Sequence, residues 1–89
     1  MNNSNPNQSL YPATIAVKVI IANDELIEQE INQIILGIFP NFDLKLVKKQ
    51  ISANLNFLSL TYPIHTESKE PIEMLYQKLH SHPKIKMVL

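Results

Sequence analysis

Few residue types in this chain could carry chemistry. There is no cysteine, which removes thiolate metal sites, disulfides and a cysteine nucleophile. The C-terminal stretch "LHSHPKIKMVL" sets His80 and His82 two residues apart, between a predicted helix and a predicted strand. Two neutral imidazoles without a neighbouring carboxylate or thiolate make a poor metal site. His65 lies beyond the other end of that helix, which at roughly 12 residues is ~18 Å long, too far for one ion to bridge. The pair reads instead as capping groups at a negative helix end in solvent, and no metal or cofactor is expected. Among the carboxylates, Glu25 with Glu28 and Glu70 with Glu73 could share helix faces. A general acid–base pair needs a desolvated cleft, and these positions face water. No strand-turn-helix elbow surrounds Ser52, Ser59 or Ser68. The expectation is a protein that is not an enzyme.

Lysine is the informative charge. Every basic residue is lysine, and Lys18, Lys45, Lys48, Lys49, Lys84 and Lys86 fall on or beside predicted strands, whereas nearly all acids fall on or beside predicted helices. The folded molecule should have a basic sheet side and an acidic helical side. Lysine on an edge strand blocks edge-to-edge aggregation, the ordinary reason for finding it there. The functional alternative is an open sheet face, with Lys18, Phe57, Ser59 and Lys86, that receives an acidic protein partner or a second copy of the chain. Ala16, Ile20, Phe57 and Val88 would leave that face apolar enough to favour a homodimer.

The elements that must position these groups follow from periodicity. Ala13–Ile21 is β-branched, with Ile15, Val17, Val19 and Ile21 on one face. Asn23 is the expected N-cap of a helix whose apolar stripe is Ile27, Ile31, Ile34, Ile35 and Ile38, weakened at Gly37 and stopped at Pro40. In Asp43–Ile51, Leu44 and Leu46 oppose Lys45, a strand pattern. "KKQISAN" is a polar hairpin, and Asn54–Tyr62 alternates Leu58, Leu60 and Tyr62 against Phe57, Ser59 and Thr61 before Pro63 closes it. A second helix begins near Pro71, carries Ile72, Leu75 and Leu79, and ends before Pro83. The last strand places Ile85, Met87 and Leu89 inward and Lys84 and Lys86 outward. The order β-α-β-β-α-β predicts an α+β ferredoxin-like sandwich: a four-stranded antiparallel sheet, second and fourth strands at its edges, with both helices on one face.

The domain should span 11–89, after a polar tail over 1–10 expected to be disordered. With 45% hydrophobic and 18% charged residues the chain has the makings of a folded core. Zero net charge and the lack of arginine argue against nucleic acid, although RNA-recognition motifs share this topology. No apolar run approaches the ~20 residues of a membrane span, and the N-terminus lacks a signal-peptide layout. A cytoplasmic, non-membrane protein is the expectation.

Three stretches, "YPATIAVKVI", "SANLNFLS" and "IEMLYQKLHSHPKIKMVL", resemble the YbeD-like family of small bacterial proteins, from about Tyr11 to Leu89. The ending is the most specific: a Leu-Tyr-x-x-Leu helix, a His/Pro turn, and a strand finishing Met-Val-Leu. The resemblance implies a ferredoxin-like fold close to that of ACT domains, the metabolite-sensing regulatory modules, and implies no enzyme activity. The leading expectation is a small non-catalytic regulatory or adaptor domain. The alternative is an ACT-like sensor of a small metabolite held at the first strand-to-helix loop, Ile21, Ala22, Asn23 and Asp24, although Asp24 and Glu25 oppose an anion there.

Overall fold

The computed structural model describes residues 10–89; apart from Leu10, the tail expected over 1–10 lies outside the described residues. The elements are β1 (Ala13–Ala22), α1 (Glu25–Ile38), a 3-10 turn (Leu44–Leu46), β2 (Lys48–Ile51), β3 (Phe57–Thr66), α2 (Lys69–His80) and β4 (Ile85–Val88). The strands form one antiparallel sheet in the order β2-β3-β1-β4. This is the ferredoxin-like α+β sandwich that the pattern predicts, with β2 and β4 at the edges. Among the described residues, no helix is long and apolar enough to cross a membrane.

Alternation builds the core. Val17, Val19 and Ile21 of β1 and Leu58, Leu60, Tyr62 and Ile64 of β3 point to one side of the sheet, where Ile27, Ile31 and Ile35 of α1 and Ile72, Leu75 and Leu79 of α2 cover them. Each helix supplies one residue per turn from its predicted stripe. The cap of α1 is Asp24, not Asn23: its Oδ1 accepts from the Leu26 N–H at 2.8 Å. Asn23 instead ties the loop to the β2–β3 hairpin, its N–H donating to Asn56 O at 2.9 Å and its Nδ2 to Leu55 O at 3.0 Å. Helix α2 starts at Lys69, so Pro71 falls in the first turn, where a missing N–H leaves no bond unmade.

Three readings of the strands change as well. Leu44 and Leu46 are not in a strand but in the 3-10 turn, capped by Asp43, whose Oδ1 accepts from the Lys45 N–H at 2.9 Å. The strand starts only at Lys48, and its phase reverses: Ile51 pairs with the buried Leu58, and Lys48 pairs with the outward Thr61. Next, β3 does not close at Pro63 but runs through it to Thr66, with Pro63 opposite Ala16 of β1. Strand β2 pairs only as far as Thr61, so Pro63 lies where β3 is itself an edge and needs no donor on that side. The third change is in β4. Its register against β1 shifts between Ile20, opposite Met87, and Ile21, opposite Ile85, so that Lys86 is the extra residue of a bulge. Inward positions therefore fall to Ile85 and Val88, both packed on the core, whereas Met87 and Leu89 are exposed. The expected inward Met87 and Leu89 and outward Val88 are corrected by this one-residue step.

Candidate functional site

Cross-strand partners share a face, so the register defines the side of the sheet away from the helices. One row is Lys48–Thr61–Lys18, extended by Leu89, whose backbone exchanges hydrogen bonds with Lys18 at 2.8 and 3.1 Å. The next is Gln50–Ser59–Ile20–Met87, followed by Phe57–Ala22 at the hairpin end, with Pro63–Ala16 on the far side of the lysine row. No helix covers this face, and three of its large apolar side chains are substantially exposed: Phe57 by 40%, Met87 by 51% and Leu89 by 58%.

Lys18, Phe57 and Ser59, named from the sequence as partner-binding residues, stand together here. Lys86 falls in the bulge of β4, opposite no residue of β1, and Met87 takes the position beside Ile20. The sequence reading set Thr61 on the side of Phe57 and Ser59 without naming it as a partner-binding residue, and it missed Lys48, Gln50 and Met87 as members of the same face. One signal could have placed Lys48: in "KKQI" the apolar residue is Ile51, so facing it inward turns Lys48 outward. Lys49 points to the helical side, where its ammonium meets Glu28 of α1 at 2.9 Å.

The loop proposed for a small ligand, Ile21 to Asp24, is already occupied by its own structure. Ile21 is fully buried, Ala22 lies opposite Phe57, Asn23 makes the two hairpin bonds, and Asp24 caps α1. A polar cavity of about 410 Å³ adjoins it, lined by Asn23, Glu25, Glu28, Gln29, Asn32 and Lys49. A more apolar cavity of about 460 Å³ lies at the other end of α1, among Ile38, Phe39, Phe42, Leu46 and Pro63, beside His65. Two of its polar neighbours are engaged: Asp43 caps the 3-10 turn, and His65 Nε2 lies 2.8 Å from Glu67.

The histidines do not converge. His65 sits between Glu67 and Thr14 Oγ1, the latter 3.4 Å from Nδ1. His80 stacks on Tyr76 with ring centroids 6.3 Å apart. His82 joins the α2–β4 turn to α1: Nε2 contacts Glu30 at 2.9 Å, and Nδ1 accepts from the Lys84 N–H at 3.1 Å. The end of α2 is satisfied by Ser81, whose hydroxyl donates to Gln77 O, and not by either imidazole as expected. Among the described residues, no group of three or more His, Asp or Glu side chains is placed to hold a metal ion. Ser52 has a turn role, donating to Asn54 Oδ1 and accepting from the Phe57 N–H.

Comparison with known proteins supports the resemblance read from the residues. The family described as "Protein of unknown function (DUF493)" matches residues 7–89. The chain is 33% identical to a UPF0250 protein of Bordetella pertussis over 91 residues, covering all of both chains. It is 33% identical to a UPF0250 protein of Janthinobacterium sp. (strain Marseille) over 92 residues, again covering both. With a UPF0250 protein of Nitrosomonas europaea it shares 32% identity over 79 residues, 89% of this chain and 91% of the relative. No solved structure matches the chain.

Proposed function

Because this chain belongs to DUF493, the YbeD-like family of small bacterial proteins of unknown function, we propose that it works by binding. It is a small non-catalytic regulatory or adaptor domain of the cytoplasm, and its open sheet face takes a protein partner or a second copy of the chain. The observation that carries this reading is the uncovered face itself. Phe57, Met87 and Leu89 are exposed beside the half-buried Ile20, on the one layer of the sandwich that no helix protects. Contiguous exposed apolar side chains rimmed by polar ones are what interaction surfaces display. The metabolite-sensor reading has less support, since Asn23 and Asp24 spend their polar atoms within the fold.

Affinity capture from the native lysate, run beside light scattering over a range of concentrations, tests the reading. Phe57→Asp and Met87→Asp should abolish a captured partner or a concentration-dependent dimer. Met74→Asp on α2, where the residue is 50% exposed, should leave either intact. Binding that survives both sheet variants and disappears with the helix variant would move the working surface to the helices.

A further inference from the structure

The sheet-face reading leaves the chemistry of the partner unnamed, and the register supplies it. None of the four strands contains an acidic residue. On the open face, Lys48 and Lys18 flank Thr61 in one row, and Gln50 and Ser59 follow in the next. Two strand spacings separate the lysine backbones by about 10 Å, so both ammonium groups can reach over Thr61. These side chains border a cavity of about 450 Å³, lined by Lys18, Lys48, Lys49, Gln50, Ser59 and Thr61.

The charges here lack partners. Among the described residues, the lysine ion pairs are Lys49 with Glu28 and Lys69 with Glu73; the other ion pairs join His65 to Glu67 and His82 to Glu30. Neither Lys18 nor Lys48 takes part. Edge protection accounts for Lys48, on an edge strand, but not for Lys18, because β1 is an inner strand paired on both sides. A cation in the centre of a sheet face, beside a second cation and with no acidic side chain on any of the four strands, is complementary to an anion brought from outside.

The kind of anion follows from the donors. Phosphate sites gather backbone N–H groups at a helix end or nest, often with an arginine fork. Paired strands present no such free N–H groups on their face, and the chain has no arginine. What surrounds the lysines is hydroxyls, an amide and large apolar side chains. We propose that this cavity is a carboxylate-binding subsite. It receives Asp or Glu side chains of an acidic, apolar segment of a partner protein, while Ile20, Phe57 and Met87 take the neighbouring apolar residues. The inference rests on the sheet face being the working surface.

The test is titration of the isotope-labelled full chain, followed by amide NMR. The probes are a blocked 12-residue peptide alternating Glu and Leu, its Gln-for-Glu analogue, and inorganic phosphate. The Glu peptide should give saturable shifts at Lys18, Ser59 and Thr61 that fade with added salt, and the Gln analogue should bind more weakly. The double variant Lys18→Gln/Lys48→Gln should weaken the Glu peptide about tenfold, the loss expected for two partly exposed ion pairs, and Lys69→Gln on α2 should not. Absence of shifts, equal binding of both peptides, or an unchanged affinity in the double variant overturns the subsite. So do the same shifts with phosphate, which would make it a small-anion site, or their appearance on concentrating the protein alone, which would make the occupant a second copy. Binding that needs Phe57 and Met87 but not the lysines removes the subsite and keeps the sheet-face reading. Binding that needs neither removes both.

Discussion

Replacing Tyr62 by phenylalanine isolates one hydroxyl at the centre of the molecule. The ring is fully buried, lies 5.9 Å from that of Phe42, and its hydroxyl donates to Asn32 Oδ1 at 2.6 Å. Phenylalanine keeps the packing and removes the bond, whose net worth is about 0.5–1.5 kcal/mol. Asn32 borders the polar cavity near the first loop, so water can meet its oxygen in the variant. The expected loss at neutral pH is therefore about 1 kcal/mol, or about 4–8 °C in Tm for a domain of this size. Tyr62→Ala also empties the ring's volume and should cost about 3–5 kcal/mol. Alkaline pH adds a sign that packing alone does not predict. Burial, and after it the nearby Glu28 carboxylate, raise the phenol's pKa well above its ordinary 10.0. A group whose folded pKa is raised contributes stability below its unfolded pKa and loses it as pH rises toward the folded value. Between those two values the unfolded chain releases a proton that the folded one keeps, and stability falls by about 1.4 kcal/mol per pH unit. Tyr62→Phe lacks this slope, and its other titrating groups are those of the wild type. Its deficit should shrink above pH 10 and vanish about one unit higher. Denaturant unfolding of both proteins at a series of pH values reads the difference directly. A deficit that stays constant to pH 11 would show that Tyr62 ionises alike in both states, and equal stability at neutral pH would show that the Asn32 bond has no net value.

Two further substitutions probe the backbone. Gly37 lies within α1, its φ is not positive, and a Cβ built on it meets nothing within 4 Å; Gly37→Ala should raise stability by about 0.5–1 kcal/mol in denaturant unfolding, and a loss would reveal a hidden clash. Leu55, at the tip of the β2–β3 hairpin, has a φ of 67° and is 68% exposed. The left-handed region is unfavourable by about 1–2 kcal/mol for a residue with a bulky side chain, and asparagine tolerates it. Leu55→Asn should therefore shift the unfolding midpoint upward, and a downward shift would mean that the leucine side chain supports the turn.

The helices were legible because their information is local. Ile27, Ile31 and Ile35, and Ile72, Leu75 and Leu79, recur at helical spacing with polar residues between, and all six are buried. The two long strands were legible for the same reason, since Val17, Val19 and Ile21 and Leu58, Leu60 and Tyr62 alternate without interruption. What failed was phase. "DLKL" alternates like a strand, but Asp43 can cap a turn through its own side chain, a local bond that competes with sheet pairing. Pro63 read as a stop because proline cannot donate to a ladder, yet β3 at that point has lost its β2 neighbour. Whether a proline ends a strand depends on what lies beside it, and that is tertiary information.

Phase also decides which charges meet. A strand side chain reverses its face with every one-residue step, so the turn at Leu44–Leu46 determines that Lys48, and not Lys49, joins Lys18 on the open face. The bulge at Lys86 likewise places Met87 beside Ile20, where strict alternation from Ile85 would have turned it to the core. Composition alone shows a sheet side rich in lysine. The turn before β2 leaves Lys49 engaged with Glu28 and Lys48 facing outward, across Thr61 from Lys18. Deleting Lys86 would remove the bulge and set Ile85, Met87 and Val88 one-to-one opposite Ile21, Ile20 and Val19, each on the face it already holds, while leaving the row Lys48–Thr61–Lys18 in place. The lysine pair is thus set by the register of β1, β2 and β3, independently of the apolar margin formed by β4.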